Sequence, residues 1–180
     1  GPVAVGAFCI PVNFDRKFFI KVMDSKQLTS GAREEWFLKI KELQKTGSLR
    51  YKVALVSHVF IDTRGIAKAV RAGIKRVISR LNLDPKKALV LLDGSLKAPQ
   101  EFVFQETIIK GDAKEAVIGC ASIMAKVTRD RYMTRLAKSY PQYTFNIHKG
   151  YGTSVHRKAI KKFGPSKIHR LSFLTKLLKK

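Results

Sequence analysis

Residues 88–92, Ala-Leu-Val-Leu-Leu, form a short run without a polar side chain, and the run ends on Asp93 and Gly94. Such a run marks a strand covered on both faces, as strands of a parallel arrangement are. Before it, Ile66, Val70, Ile74, Val77 and Leu81 recur at helical spacing. They predict an amphipathic helix that Asp84-Pro85 closes, because the residue before a proline is pushed out of the α region. After it, residues 102–109 read as another strand. Val117, Ala121, Met124, Met133 and Leu136 then predict a long helix over residues 113–138, closed by Pro141. A buried strand alternating with helices in this way constrains the chain to an α/β fold.

The first third opens with apolar, β-branched stretches at residues 3–10 and 17–22, expected to pair as a hairpin. Thr29 or Ser30 can cap a helix running to about Lys45, with Trp36, Phe37, Ile40 and Leu43 on its apolar face and Gly47 as its stop. Residues 51–59 read as a strand, and residues 155–162 and 171–178 as shorter helical pieces. There is no internal repeat and no low-complexity linker. At 180 residues the chain has one domain's length, and its 45% hydrophobic content suffices for a buried core.

Lys and Arg number 36 against 13 Asp and Glu, a formal net charge of +23. A surplus of that size on a folded domain points to a polyanion, with phosphate contacts and salt-dependent affinity. It fits a basic protein without a specific partner equally well. Cys9 and Cys120 lie far apart among apolar residues, so free thiols in a reducing cytoplasm are expected. No apolar run approaches the roughly 20 residues that span a bilayer, and no membrane partner is expected.

Few carboxylates make each one's placement informative. Asp93 stands at the C-terminal end of the apolar strand, where open α/β sheets bind ligands. An ordinary Asp-Gly turn uses the same pair of residues. Asp112, in Lys110-Gly111-Asp112, follows the next strand, and Glu115 three residues later completes the pattern of a capping box. A capping carboxylate can still turn one oxygen toward a metal. Asp130 lies mid-helix between Arg129 and Arg131, with Lys126 four residues before it, and is read as an ion-pair partner. His148, His156 and His169 lack regular metal-ligand spacing and are read as structural or phosphate-facing.

In His148-Lys149-Gly150-Tyr151-Gly152-Thr153 one aromatic is set between glycines in a basic context. A ring held that way can stack on a nucleotide while bare backbone approaches closely, or it can simply pack on the surface. Together with Asp24-Ser25-Lys26, Ala125-Lys126-Val127-Thr128-Arg129-Asp130-Arg131, Gly164-Pro165 and His169-Arg170-Leu171-Ser172-Phe173, this stretch resembles ribonuclease HII. That family comprises metal-dependent endonucleases that cut at ribonucleotides embedded in DNA and in RNA–DNA hybrids. The resemblance implies a ribonuclease H-like mixed sheet flanked by helices, with a helical C-terminal region. Residues 1–140 would form the catalytic part, and residues 141–180 the substrate-contacting loop and C-terminal helices of the same unit. It makes Asp93 and Asp112 catalytic residues and ligands of two Mg²⁺ or Mn²⁺ ions. Tyr151 would stack on the sugar at the junction with the following deoxyribonucleotide. Lys149, Gly150, Arg170 and Lys26 would contact substrate, although Lys26 reads equally as a solvated charge. The implied partners are RNA–DNA hybrids and ribonucleotide-containing duplex DNA, bound by a monomer.

One part of the family pattern does not occur in the 180 residues. The Asp-Glu-Ala-Gly-Arg-Gly segment, which carries two more acids and the loop that senses the ribose 2′-hydroxyl, has no counterpart, and Gly1-Pro2-Val3 matches the start of the family's next strand. The expectation is a partial sequence lacking the central first strand and inactive by itself. A non-catalytic, basic nucleic-acid-binding domain is the alternative.

Overall fold

The computed structural model describes residues 1–19 and 29–178, so Asp24-Ser25-Lys26 lies outside the described residues. Strand β1 (Val3–Cys9) pairs antiparallel with β2 (Arg50–Val56), in a register that sets Val3 opposite Val56 and Cys9 opposite Arg50. Strand β3 (Leu89–Asp93) pairs in parallel with β4 (Phe104–Ile108). The two pairs are not hydrogen-bonded to each other among the described residues, and this is where the resemblance expects a central strand.

The expected hairpin between residues 3–10 and 17–22 is not formed by the described residues. Lys17, Phe18 and Phe19 make a helical turn, which Asp15 starts by accepting the Lys17 N–H at 2.9 Å. Residues 20–22 lie outside the described part. The turn drives Phe18 against Trp36, with ring centroids 5.2 Å apart. Burying aromatics on helix α1 (Ser30–Lys45) prevails here over local strand preference.

Helix α1 begins where expected, with the Thr29 hydroxyl accepting the Ala32 N–H, and it buries Trp36, Phe37 and Ile40. The strand expected to reach Val59 stops at Val56. Ser57 caps a short helix α2 (His58–Arg64) by accepting from the Phe60 N–H. Helix α3 (Ile66–Leu81) follows the expected periodicity, burying Ile74, Val77 and Leu81, and Asn82 in the left-handed region ends it before Asp84-Pro85.

Helices cover both faces of β1. Helix α3 lies on one face, where a Cβ on Gly73 would sit 2.5 Å from a Val5 methyl. On the other lies α5 (Ala116–Leu136), so close that a Cβ on Gly6 would meet the Ala121 carbonyl oxygen at 2.2 Å. Both glycines are there because no larger residue permits that approach. Cys120, Ile123, Met124 and Val127 of α5 pack with Phe8 and the α1 aromatics, while Ile74, Val77 and Ile78 of α3 pack with Ala54 and Leu92. The free thiols are Cys120, buried with its pKa pushed up to about 12 by burial, and the half-buried Cys9.

Coverage of β3 is less complete than its apolar sequence predicts: Leu92 is buried, yet Leu89 is 65% exposed. With one paired neighbour among the described residues and α3 over one face, the strand's start remains open to solvent. The helix expected over residues 113–138 is interrupted. A short α4 (Gly111–Lys114) is separated from α5 by Glu115, whose backbone is extended. The C-terminal part packs on the end of α5 through Met133, Tyr143, Phe145 and Ile160. It comprises a 3-10 turn (Pro141–Tyr143), α6 (Phe145–His148), α7 (Ser154–Phe163), a second 3-10 turn (Leu171–Phe173) and α8 (Thr175–Leu178).

Candidate active site and nucleic-acid interface

The parallel pairing of β3 and β4 brings Asp93 and Asp112 to one edge of the sheet. Asp93 ends β3 opposite Ile108, and two residues beyond Ile108 the chain turns through Lys110 in the left-handed region into α4. The Gly111 N–H then donates to Asp93 Oδ1 at 2.8 Å, tying the base of the Asp112 turn to the other acid. Asp93 also performs its turn role, since Gly94 has φ +66° and its N–H donates to the Ile108 carbonyl. Asp112 lies in the first turn of α4, exposed, and makes no side-chain capping hydrogen bond. The capping-box expectation therefore fails. The reason is geometric: Lys110 occupies the cap position and the helix breaks at Glu115.

Carboxylate oxygens are hard donors of the kind Mg²⁺ and Mn²⁺ prefer. Asp93 and Asp112 fit such an ion as a partial ligand set, for no group of three or more His, Cys, Asp or Glu suited to a metal occurs among the described residues.

The second constellation surrounds Tyr151, a residue 51% exposed. Lys149 and Gly150 both have positive φ, and this sharp turn projects the tyrosine outward. Two cations of α5 meet the ring, with Lys126 Nζ and the Arg129 guanidinium each 5.0 Å from its centroid. Lys126 Nζ also donates to the Tyr151 hydroxyl at 3.2 Å. A groove of about 670 Å³ runs beside the ring, lined in part by Lys126, Arg129, Arg157, Arg170 and Phe173. Neither Asp93 nor Asp112 lines it.

Other residues expected to contact substrate have internal partners. Lys149 Nζ donates to Thr134 Oγ1 and to the Asn146 carbonyl. Arg170 donates to the carbonyls of Gly1 and Pro2, at 2.9 and 3.0 Å, and its guanidinium lies over Phe173. Arg129 donates to the same Pro2 carbonyl. Asp130 pairs with Lys126 and Arg129, at 3.6 and 3.8 Å, as its helix position predicts. The three histidines are buried, which excludes a phosphate-facing role for them.

The sequence matches the family model of ribonuclease HII over residues 1–176. The chain belongs to the ribonuclease HII family. A ribonuclease HII of Caldicellulosiruptor bescii is 44% identical over 179 residues, which cover 99% of this chain and 84% of that protein. One from Endomicrobium trichonymphae is 42% identical, covering 96% of this chain and 78% of the relative. Among solved structures, the ribonuclease H2 of Pyrococcus horikoshii superposes with a TM-score of 0.64 at 27% identity, covering 96% of this chain and 88% of that one. A PCNA:RNase HII complex from Archaeoglobus fulgidus gives a TM-score of 0.73 at 24% identity over 100% of this chain and 91% of that one. The fold is thus the ribonuclease H-like α/β fold of ribonuclease HII, and the chain is a member of a hydrolase family of nucleases.

Within that ribonuclease HII framework, sequence reading did not single out the pair of cations that meets Tyr151. Lys126 and Arg129 are three residues apart on α5, and that spacing was the available signal. Asp62 was also passed over. It accepts the N–H groups of Leu171 and Ser172, at 2.9 and 3.0 Å, and so pins the C-terminal segment to α2.

Proposed function

We propose that the protein is an endonuclease that hydrolyses the RNA strand of RNA–DNA hybrids and cuts on the 5′ side of ribonucleotides embedded in duplex DNA. Its place is ribonucleotide removal during replication and repair, in the cytoplasm, as a monomer. The observation that carries this reading is the convergence of Asp93 and Asp112 on one sheet edge, joined by the Gly111 hydrogen bond, in a chain of this family. Mg²⁺ or Mn²⁺ would be held by these two carboxylates; when bound, such ions activate water and neutralise charge on the transferring phosphate. A related ribonuclease HIII has been crystallised with Mn²⁺, a likeness of fold at 15% identity.

The chain's own residues divide the remaining work. Asp93 and Asp112 present negative charge where the scissile phosphate must come close. Tyr151 stacks on the sugar next to the cut, and Lys126 and Arg129 beneath it add positive charge facing the phosphate backbone. Lys26 belongs to the proposed phosphate contacts and lies outside the described residues. Residues 1–140 carry the acids, and residues 141–180 the stacking loop and its support. Lys149, Gly150 and Arg170 act through the backbone they hold, which sets the shape of the loop and groove.

Two acids supply little of the charge that two divalent ions need, so we also propose that the 180-residue chain hydrolyses slowly or not at all. That same count favours the second reading, a basic binding domain without catalysis. A nicking assay on a duplex with one ribonucleotide decides between them, run on this chain and on a chimera with the family's Asp-Glu-bearing strand ahead of Gly1. Binding by both and Mg²⁺- or Mn²⁺-dependent nicking by the chimera is the expected result. A folded chimera that binds but never nicks would establish the binding domain, and robust nicking by the unextended chain would refute the low activity.

A further inference from the structure

His148, His156 and His169 come from three separate segments and meet in one buried column, the first two stacked and the last two joined end to end by a hydrogen bond. The rings of His148 and His156 are parallel within 19°, with centroids 4.3 Å apart, and His156 and His169 follow at 5.1 Å. Their hydrogen bonds fix every proton. The Ser166 N–H donates to His169 Nδ1 at 2.9 Å, so that nitrogen is an acceptor and Nε2 carries the hydrogen. His169 Nε2 lies 2.9 Å from His156 Nε2, which must accept. His156 Nδ1 therefore bears its proton, and it donates that proton to the Tyr151 carbonyl at 2.9 Å. His148 follows the same logic. Its Nδ1 accepts the Gly150 N–H at 3.1 Å, and its Nε2–H donates to the Tyr143 carbonyl at 2.6 Å.

We propose that these histidines are positioning residues for Tyr151: neutral imidazoles of fixed tautomer whose hydrogen bonds hold Gly150 and the Tyr151 carbonyl, and so aim the exposed ring at substrate. The proposal rests on the reading of Tyr151 as the sugar-stacking residue. Lys149 and Gly150 both sit at positive φ, a conformation the lysine visits rarely in a free chain, and in the turn they make the Gly150 N–H and the Tyr151 carbonyl both end on imidazole nitrogens. The buried ends of the column are tied to Ser166 and Tyr143, so the loop is referenced to the C-terminal packing and not to solvent. A proton added to His156 or His169 would set N–H against N–H and break the chain. The titratable groups that face the column are the three imidazoles themselves, the Gly1 amino group and Tyr143.

Nitrogen-15 NMR of the 180-residue chain at pH 7.5 tests the tautomers directly. The expected result is His156 in the Nδ1–H form, the minor one in free imidazoles, with His148 and His169 in the Nε2–H form. A His156 in the Nε2–H form, or rapidly averaging, overturns the proposal whatever the enzyme's activity. The target of the column is tested by the ratio of affinities for a ribonucleotide-containing duplex and an all-DNA duplex at one salt concentration. H169L keeps volume but loses the donor and should lower the ratio about two- to tenfold, as the loss of one hydrogen bond does. H169Q, whose amide can donate to His156, should recover it. In a Tyr151→Ala background H169L should have no further effect, and a persisting loss would show that the histidines act elsewhere. If Tyr151→Ala itself leaves the ratio unchanged, the stacking role of Tyr151 falls while the tautomers still report on the column.

Discussion

The acidic edge and the Tyr151 loop are built on opposite principles. Asp93 and Asp112 stand at the ends of short elements, one half-buried and one exposed, with a single hydrogen bond joining their turns. Tyr151 is carried by a turn in which nearly every backbone group is committed: Tyr151 N–H to the His148 carbonyl, Thr153 N–H to Tyr151, Gly150 and the Tyr151 carbonyl to imidazoles. Three buried histidines and a stacked Tyr143–Phe145 pair support it from beneath. The part proposed to recognise sugar is held in place by hydrogen bonds within this chain. The part proposed to perform chemistry is open, as a site that must admit ions and a phosphate has to be.

The largest effect should come from the acidic edge. In a cleavage-competent chimera, Asp93→Asn and Asp112→Asn should each reduce the nicking rate at least about 100-fold, because each removes charge needed in the transition state, while duplex binding is kept. If Asp112→Asn lowered only the melting temperature, its carboxylate would be structural and the contrast between the two regions would vanish.

Tyr151→Ala sharpens the other side of the comparison. Loss of a stacking partner costs about 1–3 kcal/mol, and it should appear in cleavage at an isolated ribonucleotide and not in affinity for all-DNA duplex. Nicking rates and dissociation constants measured at the same salt separate the two; equal losses in both would make Tyr151 a packing residue.

The two regions should also part company with pH. Burial holds His169 at about 4, below its ordinary 6.5, with His156 and the Gly1 amino group adding to the shift, and burial lowers His156 as well. The unfolded chain therefore binds these protons first, so stability falls as pH drops from about 6.5 toward about 4. Hydrogen-exchange protection factors, referred to the intrinsic rate at each pH, should fall at the 148–169 amides across that window while those of β1 and β2 are kept. A uniform fall would show that the C-terminal part does not respond separately.

A smaller effect is expected at Asp62. Burial works against its charge, but hydrogen bonds from Ser172 and Leu171 outweigh that and hold its pKa below the ordinary 3.8. Its contribution is present above about pH 3.8 and is lost as pH falls through the lower folded value. Asp62→Ala should cost about 1 kcal/mol, as loss of a helix cap does, and release residues 171–178 first. Proteolysis confined to the C-terminus is the readout, and an unchanged cleavage pattern would leave Asp62 without that role.

Sequence alone determined the helices whose apolar residues recur at 3.6, the apolar strand ending at Asp93, and the glycine-framed Tyr151, because each is encoded by residues within a turn or two of one another. It also placed Asp112 beyond a strand, but it read a capping box there, since Lys110's left-handed turn and the break at Glu115 leave no mark in residue type. Pairing of β1 with residues 50–56 and the helical turn at residues 17–19 were decided by tertiary structure, the turn through aromatic burial against Trp36 that no local pattern reports. The histidine column lies furthest from the sequence. Residues 148, 156 and 169 share no period, and their rings meet because α7 and the turn before residue 171 pack on Tyr143 and on Phe145, which opens the helix that carries His148. Periodicity records which side of an element is dry; which buried polar atoms then find one another depends on contacts that exist only once the elements have packed.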